Sequence, residues 1–111
     1  MSDTQDPTQQ RIDGLVKSND ILLFMKGNAS FPQCGFSGRA IQILKASGVD
    51  TKAIKTVNVL EDPDIRAGIK DYSNWPTIPQ LYVKGEFIGG SDIMMEMYES
   101  GEMQQLVAKL A

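Results

Sequence analysis

FPQCGFSG, residues 31–38, contains the only cysteine of the chain, Cys34. Upstream, the apolar run at residues 21–25 is typical of a buried strand, and downstream the apolar residues over 36–44 recur at helical spacing. Cys34 is therefore predicted at the first turn of a helix, where unpaired N–H groups and the helix dipole stabilise an anion. Lys26 would add a positive charge. We expect a reactive thiolate.

A lone cysteine also has a simpler explanation, because free cysteines are often small, buried and inert. Pro32 and Gly35 favour a loop over a packed position, so Cys34 is expected at an exposed turn. Ser37 stands where the dithiol motif C-x-x-C has its second sulfur, so disulfide chemistry would need a thiol from another molecule. The chain has no histidine, which excludes a Cys–His pair and every His-containing metal site within one chain.

The composition is that of an ordinary globular protein, with 111 residues, 41% of them hydrophobic, and a net charge of -3. This length fits one domain, and the chain lacks the basic excess expected of a nucleic-acid-binding protein. No membrane association is expected, because the longest apolar run has five residues. Residues 1–6 are unlike a targeting peptide. A cytoplasmic location is expected, with the mitochondrial matrix as the alternative for a processed form.

The first strand is predicted over residues 21–26, the Cys34 helix to about Ala46, and a second strand over residues 54–59. Strand, helix and strand form a βαβ unit, so the two strands should be parallel. Ligands bind at the carboxyl edge of such a sheet, and Cys34 is predicted at that edge.

Helix and turn signals assign the rest of the chain. Residues 1–7 are expected to be a disordered tail whose last pair, Asp6-Pro7, starts a helix, and residues 8–111 to be one domain. The later signals are a helix opened by Asp62-Pro63, a hairpin over 81–88 broken by Gly89-Gly90, a helix capped by Ser91, and a last helix after Gly101. Most methionines lie on these helix faces and are expected in the core. The order predicts a four-stranded mixed sheet between helices.

Three motifs together resemble the glutaredoxin form of the thioredoxin fold. Cys34 at a helix start is followed by the proline-rich segment at residues 75–80 and, after the hairpin, by GGSD at residues 89–92. CGFS, residues 34–37, is similar to the signature of the monothiol, CGFS-type glutaredoxins. The resemblance covers roughly residues 8–110 and implies an α/β fold in which helices flank the four-stranded mixed sheet.

The resemblance also implies that glutathione binds beside Cys34, in a groove that offers cations to its carboxylates, backbone to its cysteinyl unit and an acid to its ammonium. The implied residues are Lys26 and Arg66 for the glycine carboxylate, Ile78 and the cis-proline Pro79 for the cysteinyl unit, Ser91 and Asp92 for the γ-glutamyl end, and Thr77 and Phe36 along the groove. Taken singly, Lys26, Arg66 or Asp92 could be an ordinary surface charge. Their joint match to one ligand favours the site.

The first functional hypothesis is an iron–sulfur carrier. A [2Fe–2S] cluster takes four ligands, usually thiolates, and one chain offers only Cys34. The resemblance implies a homodimer in which two Cys34 thiolates and two glutathione thiols share the cluster. It further implies delivery of the cluster to apo iron–sulfur proteins, with BolA-like proteins as partners.

The second hypothesis is an enzyme, a glutathione-dependent thiol–disulfide oxidoreductase that acts on protein–glutathione mixed disulfides through one thiol. The resemblance implies that this activity is weak. In a third interpretation the protein is a peptide-binding adaptor and Cys34 is incidental, which the set of glutathione residues disfavours. Ser91 occupies a position where some members of the family carry a second cysteine, so we expect no internal disulfide here.

Overall fold

The computed structural model of the protein describes residues 6–110. The tail was predicted over residues 1–7. Its residues 1–5 lie outside the described range, and its last residue, Pro7, is already helical. The elements in chain order are α1 (Pro7–Ser18), β1 (Ile21–Met25), α2 (Gly35–Ala46), a 3-10 turn (Thr51–Ala53), β2 (Lys55–Asn58), α3 (Pro63–Ser73), β3 (Gln80–Val83), β4 (Glu86–Gly89), α4 (Ser91–Ser100) and α5 (Glu102–Ala108).

The four strands form one mixed sheet in the order β2-β1-β3-β4. β1 pairs in parallel with β2 and antiparallel with β3, and β3 pairs antiparallel with β4. The predicted βαβ unit and hairpin are confirmed, and so is the fold class. Every residue of β1 is buried, because this strand lies between two others and under helices on both faces.

The sheet separates two apolar clusters, and the side chains of β1 alternate between them. Leu23 and Met25 pack with residues of α2, α4 and α5. Leu22 and Phe24 pack with residues of α1 and α3 on the other face. The methionines confirm the prediction, since Met25, Met94 and Met103 are buried and Met95 and Met97 pack against the first cluster.

Two helix starts follow the predicted Asp-Pro signal. The Asp6 carboxylate accepts a hydrogen bond from the Thr8 N–H at 2.8 Å, and that of Asp62 accepts one from the Ile65 N–H at 3.1 Å. In both helices proline occupies the first turn, where its missing N–H costs no hydrogen bond.

The start of α4 differs from the prediction that Ser91 is its cap. Gly90 occupies the cap position and Ser91 is the first helical residue. A side chain at Gly90 would begin 3.3 Å from the carbonyl oxygen of Pro79, so this close approach leaves little room for a capping side chain. Gly89 is the last residue of β4, at φ 147°, where the strand turns towards the helix.

The loop between β1 and α2 holds Cys34 at the carboxyl edge of the sheet. Gly27 has φ 88°, a conformation that favours glycine, and pairs with Pro32 in an isolated bridge. The Gln33 N–H donates to the carbonyl oxygen of Lys26 at 2.8 Å. These contacts fold the loop back onto the end of β1 before α2 begins.

Candidate functional site

The Cys34 thiol lies at the N-cap of α2, partly exposed, as the loop residues around it predict. A hydrogen bond from the backbone N–H of Ser37 is the main cause that lowers the pKa of Cys34 below its ordinary value. The N–H of Phe36, the Ser37 hydroxyl and, least, the charge of Lys26 act in the same direction, whereas partial burial opposes them. The helix start therefore stabilises the thiolate more than the lysine does.

The sequence indicated no role for Ser37. It showed only that this position lacks the second cysteine of the dithiol motif. The side chain of Ser37 is fully buried, and its oxygen accepts a hydrogen bond from the Lys26 N–H at 3.0 Å. The same hydroxyl interacts with the Cys34 sulfur. Ser37 thus connects the end of β1 to the thiol, and its position three residues after the cap cysteine was the available signal.

A cationic cleft of about 190 Å³ opens at the end of β1. It is lined by Lys26, Arg66, Lys70, Pro76, Thr77 and Ile78. The predicted cations Lys26 and Arg66 are therefore brought together, although they lie on different elements. Lys70 was not predicted, and the signal was its place one turn after Arg66 on α3, where side chains share a face.

A second cleft, of about 250 Å³, lies between the proline-rich segment and the start of α4. It is lined by Phe36, Trp75, Thr77, Ile78, Pro79, Gly90, Ser91, Asp92 and Ile93. Thr77 and Ile78 line both clefts, so we refer to the two together as the Ile78 groove. The peptide bond between Ile78 and Pro79 is cis, as the sequence resemblance implies.

The Ile78 groove has opposite charges at its two ends. Lys26, Arg66 and Lys70 line one end, and Asp92 lines the other at the first turn of α4. Cys34 lines neither cleft; it is two residues before Phe36, whose exposed ring borders the groove. All eight residues predicted to contact glutathione line the groove, and the predicted thiol lies beside it.

Two larger clefts carry less of this chemistry. One of about 560 Å³ between α2 and α4 begins at Gly35 and includes a single cation, Arg39. The other, of about 510 Å³, lies between α1 and α3, and its carboxylate Asp13 is paired with Lys17 at 2.8 Å. Neither includes a predicted glutathione residue. The arrangement of charges, more than volume, distinguishes the Ile78 groove.

The family profile described as Glutaredoxin matches residues 21–88, more than half of the chain. The chain belongs to the glutaredoxin family. This glutaredoxin is 55% identical over 100 residues to an uncharacterized monothiol glutaredoxin, ycf64-like, of Synechocystis, covering 90% of this chain and 91% of the relative. It is 48% identical over 104 residues to glutaredoxin 4 of Escherichia coli K12, covering 94% and 88%. With its single cysteine it is a monothiol glutaredoxin, as the CGFS motif predicts.

Solved structures place the fold of this glutaredoxin in the same family. The solution structure of reduced poplar apo GrxS14 is 48% identical, with a TM-score of 0.78 over 98% of this chain and 96% of that one. A buckwheat glutaredoxin–glutathione complex is 24% identical, with a TM-score of 0.78 over 92% and 88%. At that identity the likeness concerns the thioredoxin fold alone. Within residues 6–110, no helix is long and apolar enough to cross a bilayer.

Proposed function

We propose that this glutaredoxin binds glutathione in the Ile78 groove and carries a [2Fe–2S] cluster as cargo between two copies of the chain. The observation that carries the proposal is a thiol of lowered pKa beside a groove that has cations at one end and an acid at the other. Recipients would be apo iron–sulfur proteins, with a BolA-like protein as partner. The proposed compartment is the cytoplasm, or the mitochondrial matrix for a processed form.

Glutathione has the charges that the Ile78 groove would complement. Its glycine carboxylate would pair with Lys26 and Arg66, and Lys70 adds a third cation at that end. At the other end its γ-glutamyl carboxylate would meet the N–H groups that open α4, and its ammonium would meet Asp92. The backbone of Ile78, between the two ends, would pair with the cysteinyl unit as a short strand does. The glutathione sulfur would then lie near Cys34.

Ligand counting supports sharing of the cluster between two chains. A [2Fe–2S] cluster takes four ligands, usually thiolates, whereas this sequence has one cysteine and no histidine. Two copies with one glutathione each would supply four sulfurs. The partly exposed, thiolate-stabilised Cys34 fits this role. Because only two of the ligands would be protein side chains, release to a recipient should be easier than from four protein cysteines.

Anaerobic reconstitution with iron, sulfide and glutathione tests the proposal. We expect a brown dimer, measured by visible absorbance and size-exclusion chromatography, and a colourless monomer for Cys34→Ser or when glutathione is omitted. Arg66→Met should raise the glutathione concentration needed for half-maximal colour, and Lys52→Met, an exposed cation outside the groove, should leave it unchanged. A coloured dimer that forms equally well without glutathione would contradict the proposed ligand set.

A second candidate, the monothiol oxidoreductase, is favoured by the lowered pKa of an accessible thiol. The Cys34 thiolate would attack the glutathione sulfur of a mixed disulfide and release the protein thiolate. A second glutathione thiolate would then attack the Cys34–glutathione disulfide, freeing Cys34 and forming glutathione disulfide. Turnover of a glutathionylated peptide above the uncatalysed rate, and its loss in Cys34→Ser, would support this candidate; a rate equal to background excludes it.

A further inference from the structure

Gln80 is a fully buried polar residue at the start of β3. Its backbone is fixed in the sheet, where it pairs with Phe24 of β1. Its side-chain amide leaves the sheet and donates to two carbonyl oxygens, those of Trp75 and Thr77, each at 3.1 Å. One side chain therefore connects the centre of the sheet to the segment that precedes it.

That segment forms the wall of the Ile78 groove. Trp75 lines the cleft at the acidic end, and Thr77 lines both clefts. Pro76 and Pro79 have no backbone N–H, so a continuous ladder of backbone hydrogen bonds cannot hold the segment. The amide of Gln80 supplies donors to two carbonyls on either side of Pro76 and so restrains the backbone that leads into Ile78.

Gln80 is a costly way to fill the core. Its amide oxygen is buried and accepts no hydrogen bond from any residue between 6 and 110. An apolar side chain of similar volume would avoid that unsatisfied acceptor but would leave the carbonyl oxygens of Trp75 and Thr77 without these donors. The two hydrogen bonds to the groove wall, rather than the filling of the core, therefore account for a glutamine here.

We infer that Gln80 is a positioning residue for glutathione, holding the carbonyls of Trp75 and Thr77 so that the Ile78 backbone is ready to pair with the ligand. The inference rests on the proposed binding of glutathione in the Ile78 groove. Gln80 itself would touch no ligand atom, because it lines neither cleft. Without the two hydrogen bonds the segment would sample other conformations, and the apparent affinity would fall with the fraction that remains competent.

The test is a chemical-shift titration of the full chain with reduced glutathione, comparing wild type, Gln80→Met and Gln104→Met. Methionine keeps the length of the side chain and removes the amide. Gln104 of α5 is the matched control, since its amide also donates to a backbone carbonyl, that of Tyr98, at 3.3 Å. Its amide oxygen is likewise buried without a hydrogen bond from any residue between 6 and 110, and it lines neither cleft of the groove. We expect Gln80→Met to raise Kd about tenfold and Gln104→Met to leave it unchanged.

Glutathione binding by wild type distinguishes the proposed function from the positioning role of Gln80. If wild type itself binds no glutathione, the proposed function fails and the inference fails with it. If wild type binds and folded Gln80→Met has the same Kd, or if Gln104→Met weakens binding equally, the positioning role is overturned while glutathione binding stands. Urea unfolding of each variant checks that it is folded. Should Gln80→Met not fold, Gln80→Asn, whose amide is one methylene too short to reach both carbonyls, is measured against the same criteria.

Discussion

At the scale of the residue, Ser37 connects the Cys34 thiol to the backbone of Lys26. Ser37→Ala removes a hydroxyl that helps to lower the pKa of Cys34 and leaves the main contribution, the Ser37 N–H, in place. We expect the pKa of Cys34 to rise in this variant but to stay below that of an unperturbed cysteine, about 8.5. The pH dependence of the alkylation rate with iodoacetamide measures it.

Ser47→Ala is the matched control for this prediction. Ser47 is a buried serine at the other end of α2, and its hydroxyl donates to the carbonyl oxygen of Ile43 at 2.7 Å. Its replacement should leave the pH profile of alkylation unchanged. If Ser37→Ala also leaves the profile unchanged, the hydroxyl contributes nothing to the thiolate. Because protonation removes the charge, the hydrogen bonds that favour the thiolate weaken as pH falls through the pKa of Cys34.

The sequence predicted some residues of the site and not others, for reasons that differ by residue. Cys34 follows from its motif, and Lys26 and Asp92 follow from the resemblance to glutaredoxins, whose ligand carries charges of both signs. Ser37 was missed because its hydroxyl acts on residues that only the folded chain brings close, and Lys70 because the cleft that it lines forms between separate elements. Their roles depend on hydrogen bonds and on a shared wall of the groove, which a list of residue types does not contain.

At the scale of the element, replacing two glycines in helix interiors by alanine should have opposite effects on stability. A Cβ at Gly68 of α3 would lie 2.9 Å from a methyl carbon of Thr8 and 3.2 Å from the amide nitrogen of Gln9, both on α1. A Cβ at Gly14 of α1 would meet no atom within 4 Å. Gly14→Ala should therefore stabilise the protein by about 1 kcal/mol through helix propensity alone.

Gly68→Ala should instead destabilise the protein by about 1–2 kcal/mol, because overpacking where α1 meets α3 outweighs the gain in propensity. Urea denaturation of both variants measures the two free energies of unfolding. If Gly68→Ala were as stable as Gly14→Ala, α1 and α3 could move apart enough to accept the extra methyl group at little cost in free energy. Glutathione binding is a useful second measurement, since α3 carries Arg66 and Lys70 into the groove.

Elements with strong local signals were predicted well, and those set by tertiary contacts were not. The Asp-Pro starts of α1 and α3 need only the adjacent residues, and both are confirmed. The start of α4 depends on how closely Gly90 approaches the carbonyl of Pro79, a contact between distant elements. The short turn Thr51–Ala53 has no periodic pattern to reveal it, although the Asp50 carboxylate caps it.

At the scale of the whole molecule, ion pairs and hydrogen bonds made by Asp13 of α1 and by Asp62, the cap of α3, make stability depend on pH. Asp62 pairs with Arg11 at 2.6 Å, and Asp13 pairs with Lys17 and accepts a hydrogen bond from Tyr72 at 2.7 Å. The Arg11 hydrogen bond is the main cause that lowers the pKa of Asp62, and the Lys17 hydrogen bond is the main cause for Asp13.

Because both carboxyls have a lowered pKa in the folded protein, their stabilisation is complete above the ordinary aspartate pKa of about 3.9 and is lost as pH falls below it. We expect the urea midpoint to drop as the pH falls below about 4, and to drop less in an Asp13→Asn, Asp62→Asn double variant. Glu96→Gln, on the exposed side of α4, should retain the full drop. An identical drop in all three proteins would show that these pairs do not contribute.

The position of β1 in the centre of the sheet also has a consequence for biosynthesis. β1 pairs with β2 along one edge and with β3 along the other. Because Ile21 pairs with Val83, the edge that faces β3 has no partner until the ribosome has made most of the chain. The apolar residues of β1 would therefore emerge early and wait for distant partners, a situation in which nascent chains tend to associate. Chaperone contact during translation should therefore be strongest before the β3–β4 hairpin leaves the exit tunnel.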